Sequence, residues 1–166
     1  MYSGNLAGKN LSRRNHDHKV YPYLLRNLSI DTADQVWATD MSYIRVKESF
    51  ACPVVIMDWH SRRILAWELS AICDCWFCIC ALKEAMREYG RQQIFNSDQG
   101  SRFRSPDFTD VLEVADIKIS MNGKERCIDN IFVERFFRTL KYTDVYLREY
   151  RDLPEARKST GGFIQR

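Results

Sequence analysis

Apolar residues recur along this chain first at a period of two and later at a period near 3.6. Val36 to Val46 is rich in β-branched and aromatic residues and predicts a strand. Within it Trp37, Thr39, Met41 and Tyr43 share one face, and Asp40 points to the other. A second strand is expected over Val54 to Trp59 and a third over Arg63 to Leu69, joined by a turn at Ser61-Arg62. Joins this short leave no room for crossover helices, so the three should be antiparallel neighbours. Cys52-Pro53 interrupts the pattern, because proline lacks the N–H a central strand donates. Either the second strand begins after Pro53 or its pairing is locally weakened. From Asp74 the spacing turns helical, with Phe77, Ile79, Cys80, Leu82, Ala85, Met86 and Tyr89 in register and Gly90 as terminator. Gln93 to Asn96 reads as a short strand leading to Asp98. Ser105-Pro106 opens a helix with Phe108, Val111, Leu112 and Ala115 on its apolar stripe. Ile117 to Ile119 is a further strand, and Met121 to Arg126 a glycine-containing loop.

The last helix opens near Asp129-Asn130, residues suited to an N-terminal cap. Val133, Phe136, Phe137 and Leu140 form its buried stripe. Glu134, Arg138 and Lys141 recur at i, i+4 and i+7 on the other side, a carboxylate beside two cations. The order β-β-β-α-β-α-β-α predicts an α/β fold with a five-stranded mixed sheet flanked by helices.

A chain of 166 residues is sized for one domain. Residues 31–156 are expected to form the core, with 157–166 a short C-terminal segment. Residues 1–30 read as a connector. They hold Lys9, Arg13, Arg14, Lys19 and Arg26 against Asp17 alone, a balance of +4 in a chain whose net charge is +3. That arm is either a solvated leader or a contact for nucleic-acid phosphates. No apolar run reaches the ~18 residues of a membrane helix, and the N-terminus has no apolar signal core, so a cytoplasmic location is expected.

Cysteine adds little chemistry at this stage. Cys73, Cys75, Cys78 and Cys80 crowd into ICDCWFCIC, but no βαβ unit starts there and no second ligand pair stands at zinc spacing. The segment reads as a helix in which cysteine replaces small apolar residues. Disulfides are not expected in a cytosolic protein.

The chemistry lies in carboxylates. Asp40, Asp98 and Glu134 carry the strongest signal, with thirty-five residues between the last two. Three converging carboxylates make a hard, oxygen-rich site for divalent metals, and such sites suit phosphodiester chemistry. Asp58, in MDWHS, is a decoy that should shape the turn between the second and third strands through Asx-type hydrogen bonds. His60 is read as structural.

WATDMSYI, VIMDWHSRRILAW, IFNSDQGSRF and DNIFVERFFRTLKY together resemble the catalytic core of bacterial insertion-sequence transposases, within the wider integrase-like Asp-Asp-Glu group. The resemblance spans about Lys19 to Ala156 and implies a ribonuclease H-like fold. It further implies that Asp40, Asp98 and Glu134 bind two Mg2+ ions, with Mn2+ able to substitute, for 3′-end cleavage and strand transfer during DNA integration. Lys141 is implied as a contact to terminal DNA; from their positions, Arg138 and Arg135 are expected to assist, and Arg102 and Arg104 to add positive charge near Asp98 where a substrate strand could pass. Function as a homo-oligomer on DNA is also implied. Relatives carry a reading helix-turn-helix upstream and a longer final helix downstream, so the chain resembles a core without flanks. Two alternatives follow: a truncated, non-catalytic remnant that binds DNA or full-length transposase, and a general nuclease of the ribonuclease H type.

Overall fold

The computed structural model describes residues 19–123 and 130–166. The basic arm at Lys9, Arg13 and Arg14, residues 124–126 of the expected loop, Cys127 and the expected cap at Asp129 lie outside the described residues. The strands are β1 Val36–Met41, β2 Ile44–Val46, β3 Ser49–Asp58, β4 Ile64–Ser70, β5 Ile94–Ser97 and β6 Lys118–Met121. The helices are α1 Trp76–Tyr89, α2 Pro106–Val114, α3 Ile131–Leu140 and α4 Leu153–Ile164, with a π-helical turn Lys141–Val145 extending α3. β3 pairs antiparallel with β1, β2 and β4, while β5 runs parallel to β1 and β6 parallel to β5. The sheet is therefore mixed, as expected, but among the described residues it has six strands rather than five.

The extra strand comes from Pro53. β1 and β2 lie along the same edge of β3 in one register, with Met41 opposite Val54 and Ile44 opposite Ala51. Ser42 therefore faces Pro53. Its N–H donates to the Pro53 carbonyl at 3.0 Å, but proline has no N–H to return. The ladder fails at that pair, and the expected single strand splits after Met41. β3 itself runs straight through Pro53, against the expectation that it would start beyond it.

The pleat sends alternate residues to two cores. Trp37, Val54 and Ile56 face the α1 and α2 side with Phe77, Leu82, Phe108 and Leu112. Ala38, Val55 and Met57 face the α3 and α4 side with Val133, Phe137, Leu140 and Ala156. α4 crosses the expected 156/157 boundary and buries Ala156 and Thr160 completely, so the C-terminal segment is part of the core. Its helix starts cleanly, with Asp152 accepting from the Glu155 N–H at 2.9 Å. Residues before the expected boundary at 30 also pack against the sheet. Tyr21 and Leu25 are buried, the Met121 N–H donates to the Pro22 carbonyl, and the Leu24 N–H donates to Ser120 Oγ. Residues 19–30 thus cover the β6 side of the sheet instead of linking to it.

Cys52 and Cys73 form a disulfide with a Cα–Cα distance of 5.8 Å, contrary to the expectation of cysteines acting only as small apolar residues. Sequence spacing placed them 21 apart, and only the fold brings β3 beside the approach to α1. Cys78 follows the expectation, and burial pushes its thiol up to about 12.

Candidate active site

Two of the three carboxylates are set by the sheet. β1 and β5 are adjacent and parallel, with Ala38 opposite Asn96. Two residues further along that register, Asp40 and Asp98 leave the carboxyl ends of neighbouring strands on the same face. Ligands of open α/β sheets gather at that end. Asp98 is exposed just past β5, in a tight loop where the Gly100 N–H donates to its Oδ1 at 2.7 Å. A Cβ on Gly100 would lie 2.7 Å from the same oxygen, so glycine is what allows the loop to close on the carboxylate.

The third carboxylate comes from α3, and a buried amide fixes that helix to β1. Asn130 occupies the cap position but makes no side-chain cap bond. Its Nδ2 donates instead to the Thr39 carbonyl at 3.1 Å, one residue before Asp40. The sequence pattern identified Asn130 as a cap and missed this tie. With Val133, Phe137 and Leu140 buried beneath, Glu134 and Arg138 face outward. A cleft of about 380 Å³ results, lined by Asp40, Met41, Ser42, Glu134, Phe137, Arg138, Lys141 and Tyr142.

Electrostatics link the trio. The Asp40 carboxyl is pushed up to about 7, chiefly by burial, with the charges of Asp98 and Glu134 adding to the rise. The Met41 N–H on Asp40 Oδ1, at 2.8 Å, and the charge of Lys141 oppose it. The expected carboxylates therefore share one field, with Lys141 in it. Among the described residues, however, no three His, Cys, Asp or Glu side chains already form a metal cage. Like charges repel, and the Asp98 oxygen is held by its own loop.

The expected basic residues divide. Lys141 and Arg138 line the cleft, and the Arg138 guanidinium stands 5.8 Å from the Tyr142 ring centroid. Arg135 does not line it. It lies near Arg62, whose guanidinium covers the Phe132 ring and is lowered by partial burial and by the Arg135 charge. Arg102 is a strut. Its Nε donates to the Cys73 carbonyl at 2.6 Å and its Nη2 to Tyr43 Oη at 3.3 Å. Arg104 is half-buried, with Nε inside and unpartnered. Asp58 is buried and accepts from Ser61 N, Ser61 Oγ and Asp34 N, which is the turn-shaping expected of it. His60 Nδ1 lies 3.4 Å from the Ile30 carbonyl.

The chain matches a known domain in sequence, over a range that holds Asp40 and Asp98 and ends before Glu134. Residues 31–127 fit the family described as integrase core domain. The chain belongs to the integrase core domain family. This integrase core is 33% identical over 110 residues to transposase InsF for insertion sequence IS3A of Escherichia coli strain K12, a match covering 65% of this chain and 38% of that protein. It is 29% identical over 143 residues to the transposase for insertion sequence element IS904 of Lactococcus lactis, covering 82% of this chain and 52% of that one. The chain thus spans well under two thirds of the length of these relatives. Among solved structures, the integrase catalytic core domain of HTLV-2 in complex with magnesium, in its dimeric form, superposes with a TM-score of 0.64 at 21% identity, covering 80% of this chain and 84% of that one. The shared fold is the ribonuclease H-like one expected from the strand and helix order. Among the described residues no helix is long and apolar enough to cross a membrane.

Proposed function

We propose that this integrase core is the catalytic part of a DNA transposase, performing metal-dependent 3′-end cleavage and strand transfer. The observation that carries the reading is the register of β1 and β5, which sets Asp40 beside Asp98, with half-buried Asp40 lining one cleft together with Glu134. A desolvated carboxyl among like charges is poised to exchange its proton for a cation. The donors are all oxygens, which suits Mg2+ or Mn2+ rather than a thiolate-seeking metal. Asp40, Asp98 and Glu134 would hold the metals. When bound, a pair of such ions activates the attacking oxygen and compensates charge at the scissile phosphate. The chain's own contributions are positional. β1 and β5 fix two carboxylates in register, Asn130 fixes the third, and Gly100 shapes the loop behind Asp98. Lys141 and Arg138 place positive charge on the cleft wall, where they would hold phosphates of a DNA end. Self-association on DNA belongs to the same proposal, supported by the dimeric and trimeric forms of the HTLV-2 integrase core.

The test is a strand-joining assay on pre-cleaved DNA ends in Mg2+ or Mn2+. Asp40→Asn, Asp98→Asn and Glu134→Gln should each lower joining at least ~100-fold, since a metal site is worth several kcal/mol of transition-state stabilisation. Joining retained by any of the three would refute the assignment.

A further inference from the structure

One aromatic feature beside the cleft lies outside the buried cores. Tyr142 and Tyr146 lie on the π-helical turn and just after it, and they are 63% and 64% exposed. Their rings meet edge to face, with centroids 5.3 Å apart and planes at 85°. Neither ring enters the cores that bury Leu140, Val145 and Tyr150 around them. The backbone explains the orientation. Asp144 is buried, and its Oδ2 accepts from Tyr150 Oη at 2.5 Å and Ser159 Oγ at 2.6 Å. Anchoring Asp144 and Val145 inward leaves the flanking Tyr142 and Tyr146 outward. The π-type bond from Tyr146 N–H to the Lys141 carbonyl, at 2.9 Å, widens the turn. The result is a continuous stripe of Glu134, Arg138, Tyr142 and Tyr146, each four residues from the last, with Lys141 beside it.

We infer that Tyr142 and Tyr146 form a stacking platform for an unpaired base at a DNA end whose phosphates are held by Arg138 and Lys141. The inference rests on the reading of the cleft as the place where a DNA end is held. Two features single out this occupant. The platform is continuous with the cleft, because Tyr142 lines both. Arg138 sits on the same stripe, over Tyr142, and Lys141 lies beside it, so backbone phosphate and base face can be engaged together. A duplex keeps its bases stacked on one another, so only a frayed or single-stranded end can use the rings.

The test uses the 166-residue chain in EDTA, where no chemistry competes. The probes are a blunt DNA duplex, the same duplex with a short single-stranded tail carrying 2-aminopurine, and a tail in which the bases are replaced by abasic sites. The chain should bind the base-bearing tail ~5–150-fold more tightly than the abasic one, the range measured for base–aromatic stacking, and quench its fluorescence. Tyr142→Ala and Tyr146→Ala should lose that preference, while Tyr142→Phe and Tyr146→Phe keep it. Both sites are exposed, so folding is not at stake. No preference for the base-bearing tail, or a preference that survives both alanine variants, overturns the inference. So does an equal loss on blunt duplex, or sedimentation showing that the alanine variants lose self-association instead. Glu134→Gln should retain the stacking preference while losing strand joining, so a Glu134→Gln chain that stacks bases and still joins strands refutes the metal-site reading and leaves this one standing.

Discussion

Replacing Asp40 with asparagine isolates the central electrostatic claim. The side chains are nearly isosteric, and the amide oxygen can still accept the Met41 N–H that Asp40 Oδ1 accepts at 2.8 Å. The amide cannot ionise. In the folded chain the Asp40 carboxyl rises from 3.8 to about 7, mainly because it is buried and secondarily because Asp98 and Glu134 face it. The folded state therefore holds the proton more tightly than the unfolded one. That contribution to stability is fully present below about pH 4 and is lost as pH rises toward 7. At ~1.4 kcal/mol per pKa unit, the rise sets an upper limit of about 4 kcal/mol, and partial solvent access at the cleft mouth brings the expectation to about 1–3 kcal/mol. Urea unfolding from pH 4 to pH 9 should show Asp40→Asn gaining on the parent protein by that amount, with the difference reaching a plateau above pH 7. Millimolar Mg2+ at pH 8 should then stabilise the parent more than the variant, by about 2.7 kcal/mol at a hundred times the dissociation constant. A stability difference that stays flat across the pH range, or moves the other way, would show that Asp40 is not held in a strained carboxylate cluster.

Other parts of the site make separable predictions. Gly100→Ala puts a methyl against Asp98 Oδ1 and should cut strand joining at least ~10-fold, with a change in unfolding free energy below about 1 kcal/mol, since a flexible carboxylate can move aside. Asn130→Ala leaves the buried Thr39 carbonyl without its donor and should cost about 1–3 kcal/mol in chemical denaturation, with a matching loss of joining as α3 loosens from β1. Reduction of the Cys52–Cys73 disulfide, or Cys73→Ala, should cost about 3 kcal/mol from the loop it closes. Thermal melts with and without dithiothreitol check this, and a parent protein insensitive to reductant would refute it.

Much of the site was legible in the chain. Alternation around Trp37 and Thr39 put Asp40 on the opposite face, and helical spacing put Glu134, Arg138 and Lys141 on one side of α3. Both follow from local backbone periods that need no partner. The turn role of Asp58 was legible for the same reason, because an Asx bond spans only a few residues.

Tertiary structure decided the remainder, and each instance involves residues far apart in sequence. Pro53 looked like a threat to its own strand, but it breaks the neighbouring one, because its missing N–H faces Ser42 across the ladder. Asn130 looked like a cap, yet its amide reaches Thr39, 91 residues away, and so brings Glu134 toward Asp40. Arg102 looked free for DNA, but the Cys73 carbonyl and Tyr43 hydroxyl claim its guanidinium. Composition and spacing determine which faces are apolar and which residue types are available for metal and phosphate. Which distant polar group satisfies a buried donor depends on how the sheet and helices close, and that closure sets the charge on Asp40.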